Sequence, residues 1–136
     1  MTAVRYLLDT NICIYIAKRR PPEVAGRFER LSPGQVGMSM LTYGELLFGA
    51  EKSQHPQPAT QRLEPFVELV PVLELPANSP RHYARIRAEL ERAGAPIGAN
   101  DLWIAAHAMA ANLILVSNNL KELGRVSGLR SENWAH

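Results

Sequence analysis

The chain has 136 residues, the length of one ordinary domain, so a single unit spanning 1–136 with a sizeable core is expected. Hydrophobic residues make up 46% and charged residues 21%, close to the globular average, which argues against a disordered or fibrous chain. No apolar run approaches the ~20 residues that span a bilayer, and the N-terminus lacks the pattern of a signal peptide, so a cytoplasmic protein without a membrane partner is expected. The lone cysteine, Cys13, has no partner for an internal disulfide and is read as filler on an apolar helix face.

Net charge is only +2, but its distribution matters. With Asp9, Glu45, Asp101 and Glu122 set aside as a group that binds cations, nine acids face fifteen bases on the rest of the chain. Such a surface tolerates a polyanion. Twelve of the fifteen bases are arginine, the side chain suited to bidentate phosphate contacts.

The first predicted element is a buried strand in the run Val4-Arg5-Tyr6-Leu7-Leu8, which delivers Asp9 to its C-terminal edge. A helix over 12–18 follows, capped by Asn11 or Thr10, with Lys18-Arg19-Arg20 at its C-terminal end and Pro21-Pro22 as the stop. A second helix over 23–31, a turn at Ser32-Pro33-Gly34 and a strand over 36–40 come next. Thr42 opens a third helix running to about 53, with Thr42-x-x-Glu45 fitting a capping box. A loop over 55–58 leads to a helix over 60–69 and a strand over 70–75. Ser79 and Pro80 read as cap and first-turn proline of a helix to about 93.

In that helix Tyr83, Ile86, Leu90 and Ala93 share one side, while Arg81, Arg85 and Arg92 align on the other. The plain reading is a core face and a solvated face; the functional one is a stripe that contacts phosphates. A turn-rich loop over 94–99 then delivers Asn100 and Asp101 to a helix ending near 111. Leu113 to Ser117 reads as a buried parallel-type strand, a short helix covers 120–123, and Val126 with Gly128-Leu129 reads as an edge strand. Strands alternating with helices imply a three-layer α/β/α fold around a mostly parallel sheet.

Chemistry concentrates at element junctions. The chain contains only two aspartates, Asp9 and Asp101, and both stand where a loop enters a helix. Each acidic site has a structural explanation when taken singly, as does each amide in Ser117-Asn118-Asn119. Parallel strands, however, bring their C-terminal ends to one edge, where distant acids can converge. Converging carboxylates repel unless a cation binds, and hard oxygen donors without clustered His or Cys favour Mg2+ or Mn2+ over zinc. Such an ion can activate water and neutralise a scissile phosphate, so phosphodiester hydrolysis is the expected reaction. There is no P-loop, no Gly-x-Ser-x-Gly, no His-Glu-x-x-His and no cysteine pair. His107 is read as a packed core or boundary residue.

Four motifs in order carry a family resemblance: Leu7-Leu8-Asp9-Thr10-Asn11; Thr42-Tyr43-Gly44-Glu45-Leu46; Pro96-Ile97-Gly98-Ala99-Asn100-Asp101-Leu102-Trp103-Ile104-Ala105-Ala106-His107-Ala108; and Val116-Ser117-Asn118-Asn119-Leu120-Lys121-Glu122-Leu123. Over essentially its whole length the chain resembles a PIN-domain toxin of the VapC family. The resemblance implies a PIN-like fold and a metal-dependent endoribonuclease restrained by a VapB antitoxin. It further implies a homodimer and a toxin–antitoxin hetero-oligomer. The Pro-Ile-Gly-x-x-Asp signature is similar to that of toxins that cut tRNA at the anticodon loop and so inhibit translation.

Carried over residue by residue, Asp9, Glu45 and Asp101 are expected as catalytic, metal-binding acids. At the fourth position the commoner Ser/Thr-x-Asp pattern has Asn119, and Glu122 three residues on resembles the acid of a Thr-x-Asn-x-x-Glu branch. Glu122 is therefore expected as the fourth catalytic and metal-binding acid, with Asn119 contributing its amide oxygen. Thr10, Asn11 and Ser117 are expected behind the ligands or on phosphate. A haloacid dehalogenase-type phosphatase would need a second acid two residues after Asp9, where Asn11 stands. The remaining rivals are a catalytically weak PIN module that only binds RNA or sequesters antitoxin, and a DNA-directed nuclease of related fold.

Overall fold

A computed structural model describes residues 3–32 and 34–135. Five strands, β1 (Tyr6–Leu8), β2 (Val36–Ser39), β3 (Val72–Leu73), β4 (Ile114–Val116) and β5 (Ser131–Glu132), form one sheet in the order β3-β2-β1-β4-β5. All pairings are parallel, with Leu8 opposite Met38 on one side and Val116 on the other. Among the described residues seven helices connect them: α1 (Thr10–Lys18), α2 (Pro22–Glu29), α3 (Met40–Glu51), α4 (Pro56–Leu69), α5 (Ser79–Arg92), α6 (Ala99–Ala110) and α7 (Leu120–Leu123). Among the described residues no helix is long and apolar enough to cross a membrane.

Strand periodicity divides the core into two layers. Tyr6 and Leu8 point to one face, where they meet Ile12, Cys13 and Ile16 of α1, Val24 of α2, Phe66 of α4 and Trp134. Leu7 points to the other, against Ile86 and Leu90 of α5, the Leu102 to Ala108 stretch of α6 and Leu123 of α7. Helix α3 straddles the two, giving Leu41 to one cluster and Tyr43 and Leu46 to the other. Cys13 and His107 are buried, as expected of packing residues, and burial lowers the His107 pKa. Gly37 in β2 leaves room for the Leu73 side chain, which a Cβ there would meet at 2.6 Å.

Several boundaries differ from the sequence reading, each for a local reason. Helix α1 starts at Thr10, because the cap is Asp9 itself, extended at φ −79° and ψ 176°, with its carboxylate accepting the Ile12 N–H. Helix α3 starts at Met40, capped by Ser39, whose Oγ accepts the Leu41 N–H at 3.1 Å. The Thr42–Glu45 capping box therefore does not form, and the buried Thr42 hydroxyl has no partner. Helix α4 absorbs the expected 55–58 loop, since Pro56 and Pro58 are tolerated in a first turn that has no N–H bonds to lose. Ser79 is the first residue of α5 rather than its cap, which is Asn78.

The last strand is Ser131–Glu132; Val126 instead packs into the core, ahead of Gly128, whose φ of 84° interrupts an extended run. The turn expected at Ser32-Pro33-Gly34 includes Pro33, which lies outside the described residues, while Gly34 has a φ of 91°.

Candidate active site

Sheet order decides where the acids meet. The chain runs from β1 outward through β2 to β3, then returns to place β4 on the opposite side of β1. The C-terminal ends of β1 and β4 thus flank a topological switch point, where open α/β sheets hold ligands. Asp9 follows β1 and its N–H donates to the Val116 carbonyl of β4 at 3.0 Å. Ser117 follows β4, Ser39 ends β2 and launches α3 with Glu45, and α6, which leads into β4, carries Asp101 in its first turn.

At that edge a cavity of about 120 Å³ is lined by Asp9, Thr10, Asn11, Glu45, Asp101, Ile104 and Asn119. The three expected acids converge, although 35 and 55 residues separate them in sequence. Asp9 is the most buried of them, at 8% exposure. Burial pushes its pKa up to about 6, and the Asp101 and Glu45 charges push the same way, while hydrogen bonds from Ser117 and the Ile12 N–H oppose them. The Asp101 pKa is also raised, by burial and then by the Glu122 and Glu45 charges, against a hydrogen bond from Asn119.

The amides organise this charge. Asn100 Nδ2 donates to Glu45 Oε1 at 3.2 Å, a support for α3 from α6 that the sequence reading missed; its only signal was adjacency to Asp101. Asn119 lines the cavity and its Nδ2 donates to Glu122 Oε2 at 3.0 Å, while its backbone N–H donates to Ser117 Oγ at 2.9 Å. Glu122 thus stands behind Asn119, within electrostatic reach of Asp101 but not in the cavity wall. Thr10 contributes a buried hydroxyl with no hydrogen-bond partner among the described residues, beside Asp9. Arg81, Arg85 and Arg92 are exposed on α5 and none lines the cavity. Arg85 is paired with Glu89 at 3.6 Å.

Among the described residues no three carboxylate, imidazole or thiolate groups are gathered tightly enough to ligate one ion as they stand. The donor chemistry nonetheless suits a hard divalent cation. Magnesium commonly takes one or two carboxylates and completes its shell with water and substrate phosphate. Mutually repelling Asp9 and Asp101, with an unpartnered hydroxyl alongside, form a donor set of that kind.

The PIN-domain family model matches residues 6–129, nearly the whole chain. Ribonuclease VapC2 of Haemophilus influenzae is 46% identical over 131 residues, covering 96% of this chain and 98% of that one. The chain belongs to the VapC family of PIN domains. Another relative is the tRNA(fMet)-specific endonuclease VapC of Shigella flexneri, 45% identical over 132 residues, 97% of this chain and 99% of that one. In structure, this VapC superposes on a chain of VapBC-1 from nontypeable Haemophilus influenzae with a TM-score of 0.90 at 40% identity, covering 98% and 100% of the two chains. A chain of VapBC2 from Rickettsia felis, solved bound to a DNA fragment from its promoter, gives 0.88 at 36% identity, covering 96% and 99%. The three-layer parallel α/β/α fold expected of the family is the fold observed.

Proposed function

We propose that this VapC is a ribonuclease toxin: an endoribonuclease dependent on Mg2+ or Mn2+ that hydrolyses tRNA at the anticodon loop, inhibits translation in the cytoplasm, and is held in check by a VapB antitoxin. The observation that carries the reading is the convergence of Asp9, Glu45 and Asp101 on one small cavity at the switch point of the sheet. A surplus of negative charge in a site meant for a polyanion makes sense only if a cation enters with the substrate. When bound, a divalent ion would supply charge neutralisation at the scissile phosphate and polarise the attacking water.

The protein's own groups do the rest. Asp9 and Asp101, which line the same cavity, would hold the cation. Glu45, steadied by Asn100, orients the water that adds to phosphorus as the bond to the leaving oxygen breaks. Asn119 presents its amide to Asp101 and couples Glu122 to the site as the fourth acid. Thr10, Asn11 and Ser117 position these groups or touch phosphate, and the exposed Arg81, Arg85 and Arg92 contact RNA beyond the cavity.

The Shigella flexneri relative supports tRNA as substrate, and the VapBC neighbours support the antitoxin partner and a toxin–antitoxin hetero-oligomer. A homodimer is part of the reading. Helix α3 leaves Met40 54% and Phe48 64% exposed, an apolar face that a second copy would cover. The deciding experiment incubates antitoxin-free protein with total tRNA, with Mg2+ or Mn2+ and with chelator, beside Asp9→Ala. Metal-dependent cutting of a discrete tRNA subset, absent in the variant, is expected. No cleavage by folded protein would favour the rival PIN module that binds RNA or antitoxin without cutting, to which the amide at Asn119 lends some support.

A further inference from the structure

Three consecutive residues after β4 divide their contacts in an unexpected way. The outer two face the acids: Asn119 lines the cavity with Asp9 and Asp101, and its N–H donates to Ser117 Oγ at 2.9 Å. Asn118, between them, turns to helix α1. Its Oδ1 accepts from Asn11 Nδ2 at 3.4 Å, and its Nδ2 donates to Tyr15 Oη at 2.7 Å. We propose that Asn118 is a positioning residue, a latch that ties loop 117–119 to α1 and thereby sets the spacing between Asp9 and the Asp101–Asn119 side of the cavity. This inference rests on the metal-dependent ribonuclease reading above.

The geometry selects an amide. Asn11 and Tyr15 lie four residues apart on one face of α1, and one presents a donor where the other presents an acceptor. A side chain that answers both must carry an acceptor and a donor a fixed distance apart, as Asn does. The Tyr15 ring packs against the core cluster under α1, so its oxygen is a fixed post. The loop needs one, because α7, which follows it, has only four residues and no side-chain cap. Among the described residues, Asn118 makes this loop's only side-chain hydrogen bonds to α1. Asp9 caps the same helix, so one clasp registers both walls of the cavity. Sites of this kind lose rate when their walls drift by about 0.5 Å.

The test compares full-length wild type with Asn118→Ala, Tyr15→Phe and the double variant, reading Mn2+ binding by electron paramagnetic resonance and tRNA cleavage by steady-state kinetics. Each single variant should weaken Mn2+ binding and lower kcat by about 10–100-fold, the range for partners behind a metal ligand. KM should stay within about twofold, since substrate contacts are untouched. The double variant should be no worse than the worse single, because both changes open one contact. Tyr15→Phe keeps the ring, so it tests the latch even if Asn118→Ala fails to fold. Wild-type Mn2+ binding and kcat in the single variants, or losses that add in the double, overturn the latch. Wild-type protein that binds Mn2+ but cuts no RNA removes the ribonuclease reading and leaves the Mn2+ comparison to decide the latch; protein that does neither overturns both.

Discussion

The two walls of the acidic cavity are built by different means. Asp9 stands on the β1 wall, at the end of a fully buried strand, with its carboxylate capping α1 and almost no exposure. The wall after β4 is a loop and a four-residue helix, where Asn119 and Glu122 are only partly buried and are held by hydrogen bonds between side chains. One wall is rigid because the sheet and a helix cap leave it no freedom, and it bears the burial penalty as a raised pKa. The other is adjustable and depends on amides for its shape. The geometry of the cavity should therefore be lost abruptly on the first wall and by degrees on the second.

The sharpest break in this contrast is Asp9→Asn or Asp101→Asn. Either should lower tRNA cleavage by more than about a hundredfold, beyond what loss of an outer partner costs. Thermal unfolding should barely move in Asp101→Asn, since Asp101 in the first turn of α6 contributes only about 0.3–1 kcal/mol through the helix dipole. Asp9→Asn, by contrast, keeps the cap, sheds the buried charge and should melt higher than metal-free wild type above pH 6. A large loss of stability in Asp101→Asn would mean that this residue is structural.

Next in size is a pH effect centred on the rigid wall. Asp9 titrates near 3.8 when unfolded and near 6 when folded, so between these values the folded protein holds the extra proton. Metal-free stability should fall as pH rises from about 4 to about 6, by about 3 kcal/mol, and then level off. Urea titrations in chelator would show this slope in wild type and a smaller one, left by Asp101, in Asp9→Asn. A divalent cation added above pH 6 should restore stability, since it replaces the lost proton.

On the adjustable wall, Glu122→Gln and Asn119→Ala should each reduce cleavage by about tenfold or more, with the metal requirement weakened more by Glu122→Gln. Metal titrations of activity would rank them. The reverse order would make Asn119 the direct ligand, which its place in the cavity wall allows. Smallest is Arg85→Ala, outside both walls, which should lower the salt slope of RNA binding by about one unit. Arg85 already pairs with Glu89, so an unchanged slope would mark a solvated face.

How far the sequence reaches differs between these regions. Asp9, Asp101 and the strand-helix alternation could be read from pattern, because apolar runs and scarce acids at junctions are local signals. Caps were harder. Asp9 and Ser39 each precede the residues read as helix starts, and a residue that is both strand end and cap belongs to two patterns at once. The β5 strand was placed too early, because Val126 is buried by packing under the sheet rather than by joining it. The Asn118 contacts with Asn11 and Tyr15 had no signal, since they span more than a hundred residues and use side chains common in any turn.

By itself, then, the sequence determined the alternating elements, the two buried layers and the identity of the acids, because each follows from local periodicity and residue chemistry. Only the tertiary structure decided that Asp9, Glu45, Asp101 and Asn119 share one cavity, that Glu122 reaches it through an amide, and that Asn118 turns away to clasp α1. Those outcomes depend on strand order and on the placing of β4 beside β1. Strand order is set by which helices can cover which face of the sheet, a property of the whole packed chain.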